Sequence, residues 1–297
     1  MITREEKETP SQSDVARMLY GAPLAAELRA SVAEGVADFG RLHGYLPTLA
    51  VVIVGDEPAA RIYLGQILKG ADKIGIPGRK VELPAGASPR DLRRELTALD
   101  ADPLVAGVIV QMPLPARIPL HVLTDTLRPE KDIDGSHPVN LGLRTMGLPG
   151  FLPAVAEAAV QILTRSGYRL EGLRAVVIGR SNVVGKPVAM LLLQEHCTVT
   201  IGHRRSQDLA ALVRDADIVV SAAGSVGLIT GDMLKPGALV VDVGINVVAD
   251  GVVGDVDMAS ARPVAAAVTP VPGGVGPLTN AILMEHLLRA ASGGVPA

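Results

Sequence analysis

The chain has 297 residues, of which 48% are hydrophobic, 20% charged and 2% aromatic, with a formal net charge of −3 and one cysteine. A slightly acidic chain with no basic run and almost no aromatic rings excludes a nucleic-acid protein that tracks phosphates or stacks on bases. No apolar stretch reaches the roughly 20 residues that span a bilayer, the polar start does not read as a signal peptide, and a lone Cys197 excludes a disulfide framework, so a globular cytoplasmic protein of one or two domains is expected.

Residues 1–14 are polar and carry Pro10, Ser11 and Ser13, as expected of a mobile extension. Leu24, Leu28, Val32 and Val36 recur every fourth residue and predict an amphipathic helix over 23–39. The apolar run 48–54 predicts a buried strand closed by Gly55-Asp56-Glu57-Pro58. A helix over 59–74 carries Tyr63, Ile67, Lys69 and Lys73, and a short strand over 79–83 leads to a helix over 89–99 with Ser88 as its N-cap. The strand 106–110 ends on Gln111-Met112-Pro113-Leu114-Pro115. Strands alternating with helices imply a parallel α/β layer whose ligand sites lie past the strand C-termini, where Gln111 sits. After a helix over 120–127, Asp132 and Asp134 stand two apart in a Gly/Pro loop. Solvated turn chemistry is the ordinary reading of such a loop and a metal site the rarer one; too few other ligands stand nearby, so no metal is expected. A long helix over 151–165 carries the chain into a second domain.

The strand 175–178 then runs into Gly179-Arg180-Ser181-Asn182-Val183-Val184-Gly185-Lys186-Pro187 and an apolar helix to about residue 195. A strand, a glycine turn and a helix N-terminus make an anion cradle, because the first helical N–H groups and the helix dipole favour a phosphate. Such a turn by itself also serves as a plain connection. Cys197 precedes the strand 198–201 and reads as a small core residue. A helix over 209–216 and strands over 218–221 and 239–243 complete a Rossmann-like layout. At the end of the second strand, where an acid would take the ribose hydroxyl of NAD, stand Gly202-His203-Arg204-Arg205-Ser206. Two arginines beside a hydroxyl suit a 2′-phosphate, and the alternative is a solvated basic turn. Ala222-Ala223-Gly224, Asp242-Val243-Gly244-Ile245-Asn246 and the Gly/Pro-rich stretch 269–279 follow, the last opening a final helix over 280–290 and offering backbone amides to a cofactor or substrate.

Taken together, Val54-Gly55-Asp56-x-Pro58-Ala59-x-x-x-Tyr63, Val110-Gln111-x-Pro113-Leu114-Pro115, Lys131-Asp132-x-Asp134-Gly135, Gly179-Arg180-Ser181-x-x-Val184-Gly185-x-Pro187, Asp242-Val243-Gly244-Ile245-Asn246 and Pro270-Val271-Pro272-Gly273-Gly274-Val275-Gly276-Pro277 closely resemble the FolD-type bifunctional methylenetetrahydrofolate dehydrogenase/cyclohydrolase family. The resemblance runs from about residue 21 to 290. It implies an α/β protein of two domains flanking a cleft: a parallel-sheet catalytic domain over 1–150 plus 275–297, and a Rossmann-like NADP-binding domain over 151–274. It also implies a homodimer, joined through the nucleotide domain, and a small-molecule substrate. In that family NADP takes a hydride from the methylene bridge of the folate, and water then opens the methenyl product. By position, Tyr63 is implied to pack on the aminobenzoate ring, Gln111 to sit by the reacting carbon and Asp134 to hold the pterin, with Pro272, Gly273 and Gly274 beside the substrate. Gly179, Arg180, Ser181, Val184, Gly185, His203, Arg204, Arg205, Ala223, Gly224 and Ile245 are implied to hold the cofactor.

Two departures from the family pattern matter. Where the family has a catalytic lysine four residues after the tyrosine, this chain has Ile67. Lys69 and Lys73 lie about 240° and 280° around the helix from Tyr63 and cannot replace it. The family's Pro-Cys-Thr-Pro appears here as Pro153-Ala154-Val155-Ala156, which lacks a hydroxyl cap. Hydride departure is driven by the neighbouring nitrogen lone pairs and needs orientation, whereas water attack needs a polar group to manage protons. The expectation is an NADP-dependent dehydrogenase with weak or lost cyclohydrolase activity. The alternatives are an imine or iminium reductase acting on a non-folate substrate, and a non-catalytic folate- or nucleotide-binding paralogue.

Overall fold

The computed structural model describes residues 15–249 and 251–293, which form two compact units: Val155–Thr279 with the segment up to Ala25, and Ala26–Ala154 with the segment from Asn280. The extension expected over residues 1–14 lies outside the described residues. In chain order the first elements are a two-residue strand β1 (Arg17–Met18) and helix α1 (Gly21–His43).

The unit built on Ala26–Ala154 holds β2 (Thr48–Val54), α2 (Pro58–Asp72), β3 (Gly78–Leu83), α3 (Pro89–Ala101), β4 (Val105–Val110), α4 (His121–Thr124) and α5 (Pro138–Thr145). Its three strands are parallel in the order β3-β2-β4. The middle strand, Thr-Leu-Ala-Val-Val-Ile-Val, is buried along five of its seven residues, as a run of apolar and β-branched side chains requires when both faces are covered. Ala50, Val52, Val108 and Val110 pack with Leu92, Leu96 and Leu99 of α3. Helix α3 starts in a complete capping box: Asp91 N–H donates to Ser88 Oγ at 3.2 Å and Ser88 N–H donates to Asp91 Oδ2 at 2.9 Å. The helix expected over 120–127 shrinks to the four residues of α4, and α5, which has no counterpart in the sequence reading, begins with Pro138 at its first turn.

The unit built on Val155–Thr279 takes in α6 (Ala154–Thr164), β5 (Arg174–Ile178), α7 (Gly185–Gln194), β6 (Thr198–Gly202), α8 (Leu209–Arg214), β7 (Ile218–Ser221), β8 (Leu239–Asp242), the hairpin of β9 (Asn246–Val248) and β10 (Gly251–Val253), α9 (Met258–Ala261), β11 (Ala267–Val268) and the start of α10 (Val275–Ala291). Six strands form one parallel sheet in the order β1-β11-β8-β7-β5-β6. The register pairs Gly202 with Ile178, Ile178 with Ser221 and Ser221 with Asp242, so four strand ends lie level. The chain winds from β5 to β6 on one side and to β7 on the other, and a doubly wound sheet binds its ligand at that switch point. Cys197 is 4% exposed and donates its S–H to the Leu170 carbonyl, while burial and the nearby Glu195 push its pKa up to about 11.

Three boundaries differ from the expectation. The resemblance implies residues 15–25 in the first domain, but β1 pairs with β11 and completes the edge of the six-stranded sheet; two residues are too few to carry a strand period. The helix expected from residue 151 starts at Ala154, because Leu152 precedes Pro153 and the residue before a proline is driven from helical geometry. The final helix starts at Val275, one turn before the predicted start at residue 280. Among the described residues no helix is long and apolar enough to cross a membrane.

Candidate active site

The glycine turn after β5 is shaped by close approach of backbone. Gly179 sits at φ +136°, and a Cβ there would stand 2.4 Å from the Ala222 carbonyl oxygen. Only glycine fits both the conformation and the space. Beside it, Ile178, Gly179, Arg180, His203, Arg204, Leu209, Ala223, Ser225 and Leu228 line a cavity of about 270 Å³. The strand ends therefore bring together Gly179, Arg180, His203, Arg204 and Ala223 of the expected cofactor set. Among the described residues neither Arg180 nor Arg204 forms an ion pair with a carboxylate of the chain, which leaves two guanidinium groups available to a phosphate.

Other members of that set have different surroundings. Ser181 Oγ accepts the N–H groups of Val184 at 3.1 Å and Gly185 at 3.4 Å, so it ties the glycine turn to the first residue of α7. Arg205 is exposed and outside the cavity lining; its N–H donates to His203 Nδ1 at 3.2 Å. That bond, with Ser206 N–H on the His203 carbonyl at 2.7 Å, closes the turn and turns Arg204 alone of the two arginines into the cavity wall. Gly224 and Ile245 do not line the cavity, and Ile245 is 71% exposed ahead of the β9–β10 hairpin. In the stretch before α10, Gly274 is buried and its N–H donates to the Pro270 carbonyl at 2.8 Å, while Gly21 N–H donates to the Gly273 carbonyl at 3.0 Å. Pro272 is exposed and follows a cis peptide bond.

In the other unit Gln111 continues the ladder past β4, its N–H on the Val52 carbonyl at 2.8 Å, and is 8% exposed. The loop 131–135 buries the charges of Lys131 and Asp132 and leaves Asp134 half-buried, which corrects the ordinary reading of its sequence as solvated turn chemistry. Asp132 bridges in parallel to Val108 at the edge of β4, a long-range pairing that no local signal announces. Lys131 is buried with its Nζ on the carbonyls of Leu99, Asp100 and Asp102. Asp132 is 3% exposed and accepts His137 N–H at 2.6 Å; burial raises its pKa. Gly135, at φ +67°, packs where a Cβ would meet the Leu152 carbonyl carbon at 2.2 Å.

Asp134 follows from this packing. Burial, and then the charge of Asp132, push its pKa up to about 7, opposed by the charge of His286 and by the backbone N–H of Ala154. The start of α6 thus favours the ionised carboxylate through its first amide, at the place where Pro153-Ala154-Val155-Ala156 carries no hydroxyl. Tyr63 on α2 lies near enough that the Asp134 charge adds to burial in raising its pKa. Ile67, one turn on, is completely buried and presents no surface to solvent, whereas Lys69 and Lys73 are exposed. The structure therefore associates Tyr63 with Asp134 and seats Ile67 in the core.

Sequence reading missed several residues that set this geometry. His286 on α10 is fully buried, its Nδ1 hydrogen-bonded to the Ile133 carbonyl at 2.8 Å and its ring centroid 5.1 Å from that of Phe151. Asp255, 0% exposed, holds the loop after β7, as Asp242, already part of the motif 242–246 and 1% exposed, holds the loop after β8. The only sequence signal for these was a polar residue inside an apolar helix or at a strand end. Among the described residues no group of three or more His, Cys, Asp or Glu stands placed to hold a metal.

The family model described as "Tetrahydrofolate dehydrogenase/cyclohydrolase, catalytic domain" matches residues 19–134, and that described as "Tetrahydrofolate dehydrogenase/cyclohydrolase, NAD(P)-binding domain" matches residues 153–294. The chain is 49% identical over 278 residues to a bifunctional protein FolD of Sorangium cellulosum, covering 93% of this chain and 97% of that protein. It is 47% identical over 276 residues to the bifunctional protein FolD of Chloroflexus aurantiacus, with the same coverages of 93% and 97%. Among solved structures, the Trypanosoma brucei N5,N10-methylenetetrahydrofolate dehydrogenase-cyclohydrolase, crystallised with NADP cofactor and an inhibitor, superposes with a TM-score of 0.91 at 37% identity, over 96% of this chain and 100% of that one.

Proposed function

This chain belongs to the tetrahydrofolate dehydrogenase/cyclohydrolase family, and on that premise we propose that it is an NADP-dependent methylenetetrahydrofolate dehydrogenase whose cyclohydrolase activity is weak or lost. The observation that carries this reading is the assembly of Gly179, Arg180, His203 and Arg204 around one cavity at the ends of β5 and β6. A glycine that admits no Cβ lets a pyrophosphate approach the backbone, and the two guanidinium groups suit the extra phosphate that distinguishes NADP from NAD. Bound there, the cofactor supplies the hydride acceptor. We further propose that the enzyme works in the cytoplasm as a homodimer joined through the nucleotide unit. The edge strand β6, with Thr198, Thr200 and Ile201 exposed, supports that choice of surface.

On this reading Asp134 grips the pterin, Tyr63 packs on the aminobenzoate ring and Gln111 sits by the bridge carbon. These groups supply orientation, which is what hydride departure from a carbon between two nitrogens requires. Opening of the methenyl product by water needs in addition a group that takes and gives protons, help typically worth about 10²–10⁴-fold. Ile67, buried and apolar, supplies none.

The test is turnover of methylenetetrahydrofolate with NADP, followed as methenyl product accumulates, in wild type and in Ile67→Lys. Wild type should oxidise the folate and release methenyl product; Ile67→Lys should accelerate methenyl hydrolysis by about tenfold or more while retaining hydride transfer. The new ammonium enters a fully buried position, so the variant should also melt at lower temperature. Reduction of small cyclic iminium ions with NADPH, with no oxidation of the folate, would overturn the proposal.

A further inference from the structure

The wall of the nucleotide cavity that contains Ala223 and Ser225 is held from behind by one side chain. Asp255, two residues past the end of β10, has 0% exposure. Its Oδ2 accepts the Ser221 hydroxyl at 3.0 Å, the Ala223 N–H at 2.7 Å and the Gly224 N–H at 3.2 Å. Its Oδ1 accepts the Ser225 N–H at 2.8 Å and the Asn246 side-chain amide at 3.0 Å. Three successive N–H groups converging on one point, with Gly224 at φ +64°, make a backbone nest of the kind that binds anions. Here the chain fills the nest with its own carboxylate. Burying an anion is costly unless it is fully hydrogen-bonded, and five donors meet that condition. Although burial opposes it, the hydrogen bonds from Asn246, Ala223, Ser225 and Ser221 keep Asp255 below the usual carboxylate range. Asp255 is itself located by Asp242, whose Oδ1 accepts its N–H at 3.0 Å.

The amides of residues 223–225 are therefore spent inside the protein, and the loop can meet a nucleotide only with its side chains and carbonyl groups. Its near end is also tied, by Ala222 N–H on the Ile178 carbonyl at 2.8 Å. We infer that Asp255 is a positioning residue for the nucleotide: by filling the nest it sets Ala223 and Ser225 in the cavity wall that also holds Arg180 and Arg204, so affinity for NADP depends on a side chain that never touches it. This inference rests on the cofactor reading above.

Asp255→Asn keeps the size and loses the charge. Either orientation of the amide turns its NH₂ toward at least two of the five donors, so the loop must shift. The Kd for NADP by calorimetry and the KM for NADP should each rise by about tenfold or more, a far larger change than in kcat or in the KM for folate. A purely structural lesion would lower the folded fraction, and with it kcat and the melting temperature, and leave Kd and KM alone. Asn246→Ala and Ser221→Ala each remove one donor while keeping the carboxylate, and should raise the Kd in the same direction by roughly two- to fivefold. An unchanged Kd in folded Asp255→Asn overturns the inference, as does an unchanged Kd in both single-donor variants should Asp255→Asn not fold. Wild type that binds NADP with no loss in any variant refutes the role of Asp255 alone, whereas wild type that does not bind NADP refutes the cofactor reading as well.

Discussion

At the scale of the residue, Asp134 is where stability and function pull apart. Its carboxyl feels the charges of Asp132 in the same loop and His286 of α10 and in turn raises the pKa of Tyr63 on α2, and its own pKa of about 7 lies well above the ordinary aspartate range. A carboxyl raised in the folded state favours folding below its unfolded pKa, and that contribution is lost as pH rises from about 4 to about 7. Asp134→Asn should therefore raise the melting temperature of the free protein at pH 8 by at least about 2 °C and change it little at pH 4. The opposite trend applies to catalysis. If the ionised carboxylate grips the pterin, kcat/KM for the folate should fall by up to about tenfold per unit as pH drops below about 7, since that ratio reports the free enzyme. A profile flat between pH 5.5 and 8, or a variant that melts no higher than wild type at pH 8, would count against this account.

At the scale of the element, local signals proved sufficient where the structure itself is local. Ser88, read from sequence as an N-cap, closes the capping box of α3, and Ser88→Ala should cost about 1 kcal/mol in urea unfolding with activity retained. A loss below about 0.3 kcal/mol would mean that the packing of Leu92, Leu96 and Leu99 already fixes that end. The glycine turn after β5 was legible for the same reason, since strand, turn and helix are consecutive. What could not be read is what pairs at long range. Asp132 and Asp134 look like turn residues until the loop is seen lying parallel to β4. Leu209 of α8, and Ser225 and Leu228 of the loop after β7, join the cavity wall with no spacing in common with Gly179. Arg204 and Arg205 looked equivalent, and only the closed His203–Ser206 turn distinguishes them. Ile67 could be aligned with a family position, but its complete burial required the packed structure.

At the scale of the whole molecule, each unit takes segments from distant parts of the chain. Residues 26–154 lack α10, whose Leu287 and His286 are fully buried in that unit; His286 holds the Ile133 carbonyl, and a Cβ on Gly107 would fall within 2.7 Å of both Ile133 and Leu287. The fragment 26–154 alone should therefore give no cooperative thermal transition, and fusing residues 280–293 to its end through a flexible linker should restore one. A sharp transition in the bare fragment would show that α10 is dispensable. The sheet of the other unit has the same character in time as well as in space. Among the described residues, strand β1 pairs only with β11, Arg17 against Ala267. At about 5–20 residues per second, a ribosome completes β11 on the order of 12–50 s after β1 is made. A strand made early thus waits for a neighbour made late, and the nascent chain keeps that edge of the nucleotide sheet open until β11 has been translated.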